Sequence, residues 1–137
     1  MIDYKFIKQL VESVGEVKDI SDRSRKRYIV DLRSSYAKLC LVYINSFKLE
    51  GCGIEISREH STIIHSLESF KNDYGTKHFK ATEVYDFCHL KLKEIYSIML
   101  ENKIKSDFNN IDLIIKTYQD IKDNMINNIN IEFETVK

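Results

Sequence analysis

The sequence predicts an all-α fold. Apolar residues recur at steps of three and four along most of the 137 residues, and this spacing places them on one face of a helix. The chain contains no proline, and its four glycines fall between the periodic stretches. With 43% hydrophobic and 31% charged residues, the composition is that of an ordinary globular protein.

The first two predicted helices lie between residues 3 and 43. The first runs from about Asp3 to Val14 and ends at Gly15, because glycine commonly closes a helix. The second starts after Ser21-Asp22, where either side chain suits the N-cap position. Its apolar stripe is the strongest helical signal in the chain and reads Ile29, Leu32, Tyr36, Leu39 and Tyr43.

A short third helix and a longer fourth helix follow. The third covers about Phe47 to Cys52 and is ended by glycine, and the fourth begins with Ser57 as its N-cap. The residues of the fourth helix that we expect to face the core are Ile63, Ile64, Leu67 and Phe70.

Two more helices and a tail complete the chain. The fifth helix covers about Lys80 to Glu101, and the sixth covers about Phe108 to Ile126. Residues 129–134 alternate apolar and polar, which predicts a short strand-like tail, and Asn127-Asn128 before it suggest a break. We therefore predict one domain over residues 1–100 and a C-terminal helical extension over residues 101–137.

Composition limits the functional classes. No apolar run approaches about eighteen residues, so we expect no membrane span, and the start of the chain does not resemble a signal peptide. We therefore expect a cytoplasmic protein. The cysteines and histidines lack metal-ligand spacing, so we expect three reduced core thiols and no metal or other cofactor. The cysteines are Cys40, Cys52 and Cys88.

Charge is distributed unevenly although the net charge is zero. Residues 21–80 carry eleven Lys/Arg and seven Asp/Glu, whereas residues 1–20 carry three and four, and residues 81–137 carry seven and ten. The middle of the chain is therefore basic. Four of its positive charges lie within Arg23-Ser24-Arg25-Lys26-Arg27, and Arg33 follows. This cluster is typical either of a solvated basic face or of a surface that meets a polyanion.

A helix-turn-helix is predicted around residues 47–70. A short glycine-ended helix precedes a helix whose first turn reads Arg58-Glu59-His60-Ser61-Thr62. Such a polar stretch can be ordinary helix capping. It also carries the donors, acceptors and methyl group that read base edges in a major groove.

These elements resemble the C-terminal DNA-binding domain, domain IV, of the bacterial replication initiator DnaA. The resemblance is carried by Val17-Lys18-Asp19-Ile20, the basic residues 23–27, Arg33, Leu49-Glu50-Gly51-Cys52-Gly53 and Ser57-Arg58-Glu59-His60-Ser61-Thr62-Ile63-Ile64-His65-Ser66. It departs from the family at Gly51, Cys52, Ser57 and Glu59, the last in place of aspartate. The family's standard target DNA is therefore not assumed.

The resemblance implies a Trp-repressor-like helical bundle and a set of DNA contacts. Arg33 would reach into a minor groove, and the basic loop would contact phosphates through Arg23, Arg25, Lys26 and Arg27. The major-groove set would be Ser57, Arg58, Glu59, His60, Ser61 and Thr62.

We therefore expect sequence-specific binding of double-stranded DNA in replication or transcription control, in a phage, mobile-element or bacterial setting. The chain has no phosphate-binding GxxxxGK(S/T) motif, so we expect no ATPase activity, and we expect no enzyme of another class. The alternative is a helical interaction protein without DNA binding, which forms a homodimer or docks a partner through residues 105–137.

Overall fold

The computed structural model describes the backbone of residues 1–136 and the side chains of residues 1–126. Helices joined by loops make up this part of the chain, and it contains no strands. The all-α prediction is confirmed. The five helices are α1 (Tyr4–Val14), α2 (Arg27–Tyr43), α3 (Leu49–Glu55), α4 (His60–Asp73) and α5 (Thr82–Val136). The chain divides into two units, Met1–Tyr96 and Ser97–Lys137. The sequence predicted this division after residue 100.

Helix α2 is the centre of the first unit. Residues 31–37 are buried without interruption, and α1 and α4 pack against this helix. Leu32, Tyr36 and Leu39 are fully buried, as their helical spacing predicts. The Tyr36 hydroxyl donates a hydrogen bond to the carbonyl oxygen of Cys52 (2.8 Å), which joins α2 to α3.

Helix α2 begins at Arg27, later than predicted. The Asp22 carboxylate accepts a hydrogen bond from the backbone N–H of Ser24 (2.8 Å), and the Ser24 hydroxyl accepts one from the N–H of Lys26 (3.3 Å). These local bonds stabilise a loop in place of a helical turn. Most of the basic run therefore lies in the loop before α2, and only Arg27 lies within the helix.

Helix α3 contains Gly51 and Gly53 and continues past the glycine that was predicted to end it. Gly51 packs against the Tyr4 ring, where an added Cβ would lie 2.8 Å from the ring edge. At Gly53 an added Cβ would lie 2.3 Å from the carbonyl oxygen of Arg58. Glycine is therefore required inside α3 because the chain that follows the helix passes directly over it.

Helix α5 replaces the fifth and sixth predicted helices and the predicted strand. Cys88 and Leu92 are fully buried in the first unit. The backbone remains helical up to Val136, because a single strand would leave its backbone groups unpaired whereas a helix pairs them internally. The side chains of residues 129–134, and of Asn127-Asn128 before them, lie outside the described residues. None of the described helices has the length and apolar character needed to cross a bilayer.

Replacement of Gly53 by alanine tests the close approach in α3. The new methyl group would overlap the backbone of Arg58, so we expect Gly53→Ala to lower the free energy of unfolding by about 1–3 kcal/mol. Gly51→Ala in the same helix is the control, because its methyl group would lie 2.8 Å from the Tyr4 side chain and not 2.3 Å from a backbone carbonyl oxygen. Equal urea midpoints for the two variants would contradict this prediction.

Candidate nucleic-acid interface

The turn between α3 and α4 is short and closely bonded. Residues 56–59 connect the two helices, and the backbone N–H of Arg58 donates to the carbonyl oxygen of Gly53 (2.8 Å). Ile56 is buried under the turn. Ser57 has a positive φ of 56°, which a non-glycine residue rarely adopts, so the turn is fixed by its hydrogen bonds and by Ile56.

The first turn of α4 presents polar side chains to solvent. Glu59, His60, Ser61 and Thr62 are all exposed, whereas Ile63 beneath them is fully buried. The N-cap residue is Glu59, not Ser57 as predicted, and its side chain makes no capping hydrogen bond. The positive end of the α4 dipole therefore lies among exposed polar groups.

Of the other residues of α4 that were predicted to face the core, two are confirmed and one is wrong. Phe70 is buried and Leu67 is partly buried, as predicted. Ile64 is 48% exposed, so its prediction as a core residue is wrong. It lines a surface groove with Leu41 and Lys38 of α2.

Arg58 joins the turn to the loop before α2. One terminal nitrogen, Nη2, donates to the carbonyl oxygen of Asp22 (2.6 Å). The other, Nη1, donates to the carbonyl oxygens of Ser21, Ile56 and Ser57 (each 3.1 Å). A guanidinium group can make several such bonds at once because its donors lie in a fixed plane.

Arg33 supports the same loop from beneath. Its Nε donates to the carbonyl oxygen of Ile20 (2.6 Å) and its Nη2 to that of Asp22 (2.7 Å). Burial lowers the pKa of Arg33, the nearby Arg58 charge lowers it further, and the Asp22 carboxylate opposes both effects. Arg33 is only 8% exposed. The structure therefore does not place it as a free side chain that could enter a minor groove.

A cleft forms where the loop and the turn meet. It has a volume of about 420 Å³, and we call it the arginine cleft. Its lining comprises Arg23, Ser24, Arg25, Arg33 and Arg58. These arginines were predicted to have three separate roles, and the fold brings them to one place. Four arginines line this one depression, and such a concentration of positive charge favours an anion there.

The end of the basic run differs from its beginning. Arg27 bonds to Asp73 of α4 (2.8 Å) and to Asp31 of its own helix (3.1 Å), and the Asp73 hydrogen bond is the main reason that its pKa is raised. Asp31 also accepts a hydrogen bond from the backbone N–H of Lys80 (2.8 Å). Arg27 therefore belongs to the packing of α2 against α4, and neither aspartate partner was predicted from the sequence.

Lys26 is exposed, as are Arg23 and Arg25. Within the described residues, none of the three makes an ion pair. Their charges are therefore available to a partner.

The cysteines are core residues, as predicted. All three are buried free thiols, and burial raises the pKa of Cys88 to about 11. Desolvation likewise raises the pKa of the Cys40 thiol. Among the side chains described, no group of three or more histidine, cysteine or carboxylate residues is arranged to bind a metal ion.

Comparisons with protein-family models, curated proteins and solved structures give no match for this chain. The resemblance to domain IV of DnaA therefore stays a prediction from the sequence.

Replacement of Arg33 tests its structural role. Arg33→Ala removes two hydrogen bonds from a buried charged donor, so we expect the free energy of unfolding in urea to fall by about 3 kcal/mol. Arg25→Ala removes the same charge from an exposed position in the same cleft and should change stability by less than about 0.5 kcal/mol. A stable Arg33→Ala protein would contradict this assignment.

Proposed function

We propose that residues 1–96 bind double-stranded DNA with sequence specificity. One observation carries the proposal: the arginine cleft is completed by Arg58, two residues before the exposed polar first turn of α4. In this proposal α3, the turn and α4 act as a helix-turn-helix. The cleft binds backbone phosphate, and the first turn of α4 enters the major groove.

The cleft has the chemistry that phosphate requires. Guanidinium groups bind phosphate oxygens through paired N–H donors, and a serine hydroxyl can add another donor. Arg23 and Arg25 are exposed and carry the contact in this proposal. Arg33 and Arg58 are fixed by backbone carbonyls, so they add positive potential without having to reorganise.

The first turn of α4 has the chemistry that base edges require. His60 can donate to or accept from a base, Ser61 can do either, and the Thr62 methyl group can contact a thymine methyl. The Glu59 carboxylate can accept from cytosine N4. All four are exposed on one helical turn above the buried Ile63, so this turn can approach DNA while the core stays closed.

The proposed contact set is narrower than the one predicted from sequence. It keeps Arg23, Arg25 and Lys26 for phosphates and residues 59–62 for bases, and it gives Arg33 and Arg27 structural roles. Arg58 belongs both to the residues that contribute to DNA binding and to those with structural roles. Binding of this kind serves replication or transcription control in the cytoplasm, and it needs no nucleotide hydrolysis.

The phosphate contacts are tested by Arg23→Ala/Arg25→Ala. We expect weaker binding to every duplex, and a slope of log K against log salt that is reduced by roughly 0.9 for each phosphate that the variant no longer neutralises. Fluorescence anisotropy at several salt concentrations measures both quantities. Lys5→Ala/Lys93→Ala removes two exposed charges elsewhere in the same unit and is the control. If the wild-type protein binds no duplex at low salt, the proposed function is wrong.

The base contacts are tested by His60→Ala/Thr62→Ala. Selection of duplexes from a random pool with the wild-type protein first provides the preferred site. We expect the double variant to lose about 1–3 kcal/mol for each discriminated base pair and to keep its salt-dependent binding to unrelated DNA. Asn72→Ala, exposed near the other end of α4, should preserve the preference. Unchanged specificity in the double variant would place base recognition elsewhere.

A further inference from the structure

The second unit exposes a broad apolar surface on its helix. Over residues 104–125, nine apolar side chains are each 54–68% exposed. Eight of them, all except Leu113, follow one continuous helical spacing, and we call these eight the C-terminal stripe. They are Ile104, Phe108, Ile111, Ile114, Ile115, Tyr118, Ile121 and Met125. Successive members are three or four residues apart, with Ile114 and Ile115 adjacent at the centre, and this spacing keeps them on one side of the helix.

We infer that the C-terminal stripe binds a second copy of this chain, as an antiparallel two-helix interface. Eight large side chains at this exposure offer on the order of 800 Å² of surface, which is about what a stable interface buries on each partner. Spacing of three and four residues is also what allows helices to pack knobs into holes along a seam. The proposed interface involves residues 97–126 alone and is independent of the proposed DNA binding.

The stripe is arranged symmetrically about its own midpoint. Positions 104 and 125, 108 and 121, 111 and 118, and 114 and 115 are equally distant from the point between Ile114 and Ile115. A two-fold axis at that point would therefore bring every apolar level of one helix beside an apolar level of its partner. A surface that complements itself in this way is what an isologous homodimer requires.

Charge determines whether the two helices of the proposed dimer pack antiparallel or parallel. Asp107 and Lys122 interrupt the apolar face, and they too are equally distant from the midpoint. In an antiparallel pair, Asp107 of each copy lies at the level of the other copy's Lys122, so both contacts are attractive. In a parallel pair in register, aspartate would meet aspartate and lysine would meet lysine, and like charges across a seam are unfavourable.

The inference is tested first by oligomeric state. We expect the full chain to sediment as a dimer at micromolar concentration, and Ile114→Glu to shift it to monomer by raising the dissociation constant at least about a hundredfold. Asn109→Glu is the control, because Asn109 is exposed on the opposite side of the helix from the stripe. Circular dichroism checks that both variants retain the helical content of the first unit.

Three outcomes overturn the inference. A wild-type chain that stays monomeric, or one that forms trimers or tetramers, does not form the proposed pair. Equal effects of Ile114→Glu and Asn109→Glu would show that the stripe is not the interface.

Exchange of the charges at residues 107 and 122 tests whether the two helices are antiparallel. Asp107→Lys alone and Lys122→Asp alone each place like charges together in an antiparallel pair, so each should raise the dissociation constant on the order of tenfold. The double variant Asp107→Lys/Lys122→Asp should restore it. In a parallel pair each single substitution would leave the number of like-charge pairs unchanged, so dimers unaffected by either one would overturn the antiparallel arrangement.

Discussion

The first unit depends on two arginines that bind backbone carbonyls of residues 20–22, in the loop before α2. Arg33 rises from the middle of α2, Arg58 comes from the turn before α4, and both donate to the carbonyl oxygen of Asp22. Backbone carbonyls of a loop need donors when the chain packs closely around them. A guanidinium group provides several donors from one side chain. These bonds fix the position of the basic loop relative to the turn, and the arginine cleft exists because of them.

Helix α2 connects the other segments of the first unit through further polar contacts. Through Tyr36 it bonds to α3, and through Arg27 and Asp31 it is joined to α4 and to the segment before α5. The Tyr36 hydroxyl and the Asp31 carboxylate lie in the core, and both are satisfied by hydrogen bonds to other segments. Buried polar groups that are paired in this way fix one arrangement of helices against others of similar apolar packing.

Much of this fold could be predicted from the periodicity of apolar residues. The apolar stripe of α2 follows from side-chain spacing and is observed, whereas the two predicted N-caps are not, because Lys26 precedes α2 and Glu59 precedes α4. The features that were predicted wrongly depend on contacts between segments that are distant in sequence. Nothing near Gly53 in sequence shows that the Arg58 carbonyl passes over it, and nothing near Arg33 shows that its acceptors lie on residues 20 and 22.

The candidate site likewise combines features that the sequence predicts with features that only the tertiary fold creates. Polar residues in the first turn of α4 are visible in the sequence because they stand together, and they are exposed in the structure. The convergence of the basic residues could not be predicted, because residues 23–25, 33 and 58 are brought together only by the tertiary fold. The tail illustrates the opposite error, since a period of two in six residues was outweighed by the helix that precedes them.

Arg58 performs two tasks that are usually separate. Its side chain closes the loop onto the turn, and its charge lines the arginine cleft. Under the proposed DNA binding, an amino-acid change at this position would alter recognition and the shape of the recognising surface together. Under that proposal, divergence of target preference would occur through neighbours that carry no structural bonds, with Arg58 held constant while the residues around it change.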